Sequence, residues 1–380
     1  METMHESLPH PSASIIDLRE RKGRGEKIVG YIPNGYMPEE LVHACGAVPL
    51  ALARGGDPEP VAASTKCLAR FLDPFCRAQI GYRLLKEEPA YQLIDILVVP
   101  MTDNHVRAIA DSWNFYTDVE VFRFGVPHVK AEHGYTYYRE SLNLLKERLE
   151  NLTGNKITES KLREEIDTGN KIRGLIRRIS LMRRAEHPPI SGRDFIELCH
   201  NSFYTDRHET LVVLQSISER LKATKPSGPV KPRVLLAGST LALGDSRVVD
   251  LLEEAGASIV MEEFSEGLKQ YRQSVDTEGD PMQALADGYF SKRVPDAFFR
   301  GAAKERGDFL LKLARDFKVD GVVYYTLMYR DSYDVEGYIL HRIFEKAGIP
   351  VLRLSSDYDV AETGAFRTRI ETMVNTIKMR

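Results

Sequence analysis

Cysteine is scarce in this chain: four residues in 380, at positions 45, 67, 76 and 199. So few thiols over so long a chain form no disulfide framework, and they suit a reducing compartment, so a cytoplasmic location is expected. An excess of either charge is missing too, with 52 Lys and Arg against 55 Asp and Glu. That balance offers no bulk attraction to nucleic acid or to an anionic membrane. No apolar run approaches the length that crosses a bilayer, and the polar opening METMHESLPHPSASIIDLRERKGRGEK has no signal-peptide core. Phosphate-binding fingerprints are lacking as well. Gly23-Arg24-Gly25 precedes a strand instead of following one, and no Gly-Lys-Ser/Thr follows Gly238-Ser239-Thr240. If ATP is consumed, another protein hydrolyses it.

Short β-branched runs alternating with helical patterns are abundant, which is the signature of parallel α/β architecture. Lys27–Ile32, Ala47–Leu52 and Ile94–Pro100 read as buried strands of a first lobe, and Pro38–Gly46 between them as a short helix closed by Gly46. After a linker at Lys225–Pro229 the pattern starts afresh, with strands at Arg233–Ala237, Ala257–Met261, Gly321–Leu327 and Ile349–Leu354. Between the two, apolar residues recur at helical spacing from about 135 to 223. The expected organisation is a loosely ordered arm (1–26), an α/β lobe (27–134), a helical segment (135–224) and a second α/β lobe (225–380). The arginine-rich stretch KIRGLIRRISLMRR in the helical segment suggests a polyanion site or, more simply, a solvated helix face or a contact between subunits.

The most unusual chemistry lies in residues 67–111. Cys76 stands two residues after Pro74 at the start of a helical pattern, where unsatisfied backbone N–H groups favour a thiolate suited to metal ligation or redox work. The strand Ile94–Pro100 ends in Met101-Thr102-Asp103-Asn104-His105, and loops beyond the carboxyl ends of parallel strands are where such sheets bind ligands. Asn104 and His105 supply donors to a developing oxyanion, with helix capping the alternative for Asn104, and Asp103 is a candidate proton donor.

This order of elements resembles the family of 2-hydroxyacyl-CoA dehydratase subunits and ATP-dependent benzoyl-CoA reductase subunits. The resemblance rests on Cys76-x-Ala78 with Gly81, on Val98-Val99-Pro100 followed by Thr102-Asp103, and on the closing SSDYDVAETGAFRTRIETMVNTI. The wording PMTDNHVRAIAD is more similar to the small subunit of the reductase. The resemblance implies two doubly wound Rossmann- or flavodoxin-like lobes, and one [4Fe-4S] cluster held by three cysteines. It also implies a homologous larger subunit with which the chain forms a heterodimer, an acyl-CoA substrate, and an ATPase partner that carries its own [4Fe-4S] cluster and delivers electrons.

The match is incomplete at the metal. Cys76 occupies the first ligand position, but Asp103 stands at the second and Arg330 at the third. Cys67 and Cys45 are the substitute ligands the sequence offers. Arg330, with Tyr329 beside it, is expected to contact the acyl-CoA through its phosphates, or else to pair with Asp331 or Asp334. In the reductase reading, electrons entering an aromatic acyl-CoA give a cyclic dienoyl-CoA. In the dehydratase reading, a transient electron expels a 2-hydroxyl as water and an enoyl-CoA results. A third reading makes the chain a non-catalytic subunit that completes a pocket and docks a cluster-bearing partner.

Overall fold

A computed structural model of the chain describes residues 11–225 and 228–380; the first ten residues and Pro226-Ser227 of the expected linker lie outside the described residues. Ile28–Tyr31 (β1), Val48–Ala51 (β2), Ile96–Met101 (β3) and Glu120–Gly125 (β4) form a parallel sheet in the order β2-β1-β3-β4. Arg233–Gly238 (β5), Ser258–Glu263 (β6), Gly321–Leu327 (β7) and Val351–Ser356 (β8) form a second one in the order β6-β5-β7-β8. The chain is thus α/β with two Rossmann- or flavodoxin-like lobes of the same strand order. In each lobe the order reverses between the first and third strands, so the switch points fall at β1/β3 and at β5/β7.

Alternation along the strands splits the interior by face. Leu97 and Val99 of β3 pack with Ile80, Ile109 and Trp113, whereas Ile96 and Val98 pack on the opposite face with Leu142 and Leu145. The first of these cores continues into the other lobe, where Leu236, Leu241, Val323, Tyr325 and Phe366 belong to it. Shared apolar burial therefore fixes the lobes against each other. Strand β4 carries no clear sequence signal. It is an edge strand, EVFRFG, with only Phe124 buried.

Two expectations are revised here. The arm is not loose over its described part, because Pro11–Gly23 is a helix that buries Leu18 and ties Lys22 Nζ to Leu93 O at 2.8 Å and to Asp95 Oδ2 at 2.7 Å. Nor is the arginine-rich stretch only a solvated face: Lys171, Arg178 and Arg184 are exposed, but its other arginines turn inward. On the helix Glu159–Met182 and just beyond it, Arg173 is buried against Glu40 and Tyr289. Arg177 donates to Tyr271 O and Arg272 O. Arg183 pairs with Glu262 at 2.8 Å while stacking 3.7 Å above Phe195. These arginines tie the helical segment to both lobes. No helix among the described residues is long and apolar enough to cross a membrane.

Candidate functional site

The carboxyl ends of β1, β3, β5, β6 and β7 open onto one narrow cleft between the lobes, a cavity of about 20 Å³. Asn34 follows β1, Thr102 follows β3, and Ser239 and Thr240 follow β5. Glu266 follows β6 and Arg330 follows β7. Both switch points of the double sheet therefore face the same space, the location at which α/β sheets bind ligands.

Three helices begin beside this cleft. Asp73 precedes Pro74–Leu85, with proline at its first position, and Asp73 Oδ1 accepts from Cys76 N–H at 3.0 Å. Asp103 precedes Asn104–Tyr116, and its Oδ1 accepts from the His105 and Val106 N–H groups at 2.9 and 3.0 Å. Arg330 precedes Asp331–Lys346. Each carboxylate caps its helix with one oxygen and turns the other to Arg330. Nη1 donates to Asp73 Oδ2 at 3.1 Å, and Nη2 lies 3.0 Å from Asp103 Oδ2. The second contact lacks hydrogen-bond alignment, so it is a Coulombic pair. Cys76 completes the group, its Sγ 3.9 Å from Nη1.

Burial decides the charge states. Burial pushes the Cys76 thiol well above its ordinary range, and Asp73 adds to the rise, so the sulfur is a thiol. Burial alone would lift the Asp103 carboxyl, but Arg330 and the Val106 and His105 N–H groups outweigh it and hold the group low. Burial opposes the charge on Arg330, yet Asp103 and Asp73 overcome that, so the guanidinium stays protonated. The centre holds one cation, two carboxylates and one neutral thiol.

The positions singled out from the sequence separate clearly. Cys76, Asp103 and Arg330 converge. Asn104 is exposed and is not the helix cap, a place Asp103 takes. His105 uses Nδ1 to accept from Asp73 N–H at 3.2 Å, which fixes the loop carrying the cap. Arg330 pairs with Asp73 and Asp103 in place of Asp331 or Asp334. Tyr329, in the left-handed backbone region at φ 70°, packs edge-on against Phe71. Cys67 is half-buried against the first core, while Cys45 lies in the other core and donates its thiol to Val42 O at 3.1 Å. Among the described residues, no three His, Cys, Asp or Glu side chains are placed to hold one metal ion. A centre with one thiol and a guanidinium in its midst does not fit a three-thiolate iron–sulfur site.

The profile of the family "2-hydroxyglutaryl-CoA dehydratase, D-component" matches residues 34–377. The chain belongs to this family. Individual relatives are distant but run nearly end to end. YjiM of Escherichia coli (strain K12), a proposed dehydratase subunit, is 25% identical over 96% of this chain and 94% of its own length. The (R)-phenyllactyl-CoA dehydratase beta subunit of Clostridium sporogenes is 23% identical over 95% and 94%. A benzoyl-CoA reductase subunit of Thauera aromatica is 24% identical over 93% and 91%. This D-component chain is thus similar to dehydratase and reductase subunits alike.

Sequence reasoning missed two residues of the site, Asp73 in the buried ion-pair group and Glu266 in the cleft. Asp73 carried a signal, since Asp before Pro at the opening of a helical pattern is a capping signature. Glu266 carried none. It is 3% exposed, and its Oε2 accepts from Leu241 N–H at 3.4 Å, while His200 Nε2 meets Leu241 O at 2.9 Å on the other side of that residue. Burial pushes the Glu266 carboxyl up to about 7. The unfolded chain gives up this proton near pH 4.5 and the folded chain near 7, so the folded state binds more protons between those values. Stability is therefore lost as pH rises through that window. Glu266→Gln should remove up to about 3 kcal/mol of that decline, measured as urea midpoints from pH 4.5 to 7.5. Asp245, pushed up to about 6 by burial, contributes in the same direction in both proteins and cancels in the comparison. Parallel pH curves for wild type and variant would refute the assignment.

Proposed function

We propose that the chain is one subunit of a heteromeric acyl-CoA enzyme of the radical dehydratase and benzoyl-CoA reductase class. It works with a homologous larger subunit and an ATP-hydrolysing electron donor. The observation that carries this reading is the cleft itself, where both switch points meet around hydroxyls, an asparagine and a carboxylic acid that titrates near neutrality. Reduction of a thioester places negative charge on its carbonyl oxygen, so a site for it needs hydrogen-bond donors and a source of protons. Thr102, Ser239, Thr240 and Ser265 offer the donors, and Glu266 the proton. Family membership and the end-to-end relatives support the substrate class. The relatives' names divide between dehydratase and reductase, and this chain's chemistry is shared by both.

The product separates the two forms. Anaerobic co-expression with the neighbouring homologous subunit and the ATPase, then assay with benzoyl-CoA and with (R)-2-hydroxyacyl-CoA thioesters, should give a cyclic dienoyl-CoA or an enoyl-CoA by mass spectrometry. Turnover of one substrate should depend on ATP, and Glu266→Gln should lower kcat more than it raises KM. A complex that binds neither thioester would overturn the proposal.

A further inference from the structure

We infer that this chain carries no iron–sulfur cluster, and that the Arg330 guanidinium, clasped by Asp73 and Asp103 beside Cys76, is a built-in ion-pair plug at the place where a cluster would sit. The inference rests on the chain's family membership for the meaning of the place, and on its own geometry for what fills it.

Three helix N-termini converge at this point, at Pro74, Asn104 and Asp331. Each brings unsatisfied N–H groups and partial positive charge, so the junction favours an anion. A cluster on thiolates would be such an anion. Here two carboxylates take that part from within the chain. Asp73 and Asp103 each spend one oxygen on a helix N-terminus, and each leaves its second oxygen buried and in need of a cation. Arg330 supplies it from the other lobe, reaching both carboxylates with separate nitrogens of one planar fork. Asp73 is fully buried and Arg330 is 6% exposed, so the assembly excludes water.

The residues at 103 and 330 fit each other. An aspartate at position 103 buries a second carboxylate beside Asp73, and Arg330 supplies the cation that the two carboxylates share. Paired, they neutralise most of the charge and join the amino ends of helices in both lobes. The chain is then redox-silent, and electrons for the reaction reach the substrate through a partner. The plug also forms one wall of the cleft, since Arg330 lines it and Arg330 Nε has no hydrogen-bond partner among the described residues.

The test is iron and acid-labile sulfide on the full chain, purified anaerobically alone and with its neighbouring homologous subunit, for wild type and Cys76→Ser. The expected result is no stoichiometric iron on the isolated chain, before or after incubation with ferrous iron and sulfide. The complex should contain the same iron with either form of the chain, and thermal melts of the isolated chain should be unchanged by a chelator. Stoichiometric iron and sulfide on the isolated wild type, lost in Cys76→Ser, would overturn the inference. So would a melt that falls on chelation, a readout that needs no variant. An iron-free chain in a complex that turns over no acyl-CoA would count against the proposed function alone.

Discussion

Arg330→Met will lower the stability of the folded chain by about 3–5 kcal/mol, the cost of removing one partner from a buried ion pair. The size follows from what stays behind. Methionine fills much of the same volume, so packing changes little, but Asp73 Oδ2 and Asp103 Oδ2 are left facing each other in a dry junction. Changing the carboxylates as well should recover most of the loss, so Arg330→Met/Asp73→Asn/Asp103→Asn is expected within about 1–2 kcal/mol of wild type. Acid should do the same chemically. In wild type the Asp103 carboxyl is held low, so its contribution is present above the unfolded value and lost as pH falls through the folded one. In the single variant that carboxyl rises above its unfolded value, and the folded state gains affinity for protons. The gap between the two proteins should therefore narrow as pH is lowered from 7 towards 4. Urea unfolding at both pH values measures it. A constant small gap would show that the pair is no more than a surface contact.

The plug also shows what was legible in the sequence. Positions 76, 103 and 330 were comparable because each lies beside a recognisable strand or helix start, and β7, Gly321–Leu327, was readable to the residue as an unbroken β-branched and aromatic run. What the residues at those positions do to one another was not readable. Asp73 and Arg330 are 257 residues apart, and adjacent acids at 331 and 334 offered Arg330 nearer partners in sequence. Only the folding of β7 beside β5, and the shared core between lobes, brings Arg330 to Asp73 and Asp103.

Glu266 makes the same point with closer neighbours. It shares the stretch Glu262-Glu263-Phe264-Ser265-Glu266 with two other glutamates. Glu262 is claimed by Arg183 and Glu263 by Arg272. Glu266 has a backbone N–H for a partner, and so its carboxyl is the one lifted towards neutrality. Composition assigns all three the same chemistry, and tertiary pairing separates them.

The second large effect is expected at the buried charges behind the cleft. Lys269, Arg293 and Arg306 face Asp296 and Glu336, giving three potential cations to two carboxylates. Arg306 holds Glu336 with Nε and with Nη2, the latter at 3.1 Å, and Tyr324 donates to the same carboxylate at 2.8 Å. Asp296 accepts from Tyr36 at 2.6 Å and contacts Lys269. Lysine is the member of this group that readily gives up its charge, and burial, with Arg306 and Arg293 nearby, pushes Lys269 well below its ordinary range. Removal of an acid and removal of the surplus base should therefore differ sharply. Glu336→Gln leaves Arg306 without its carboxylate and should cost about 3–5 kcal/mol. Lys269→Met removes a charge that burial already disfavours and should cost about 1 kcal/mol. In Glu336→Gln the excess positive charge depresses Lys269 further. Where the lysine of the variant has lost its proton and that of wild type has not, only the variant gains stability with rising pH. The deficit of Glu336→Gln relative to wild type should therefore shrink as pH rises through that range and level off above it, read from urea midpoints between about pH 5 and 9.5. Equal costs for the two variants, or a deficit that does not move with pH, would show that the five groups do not share charge.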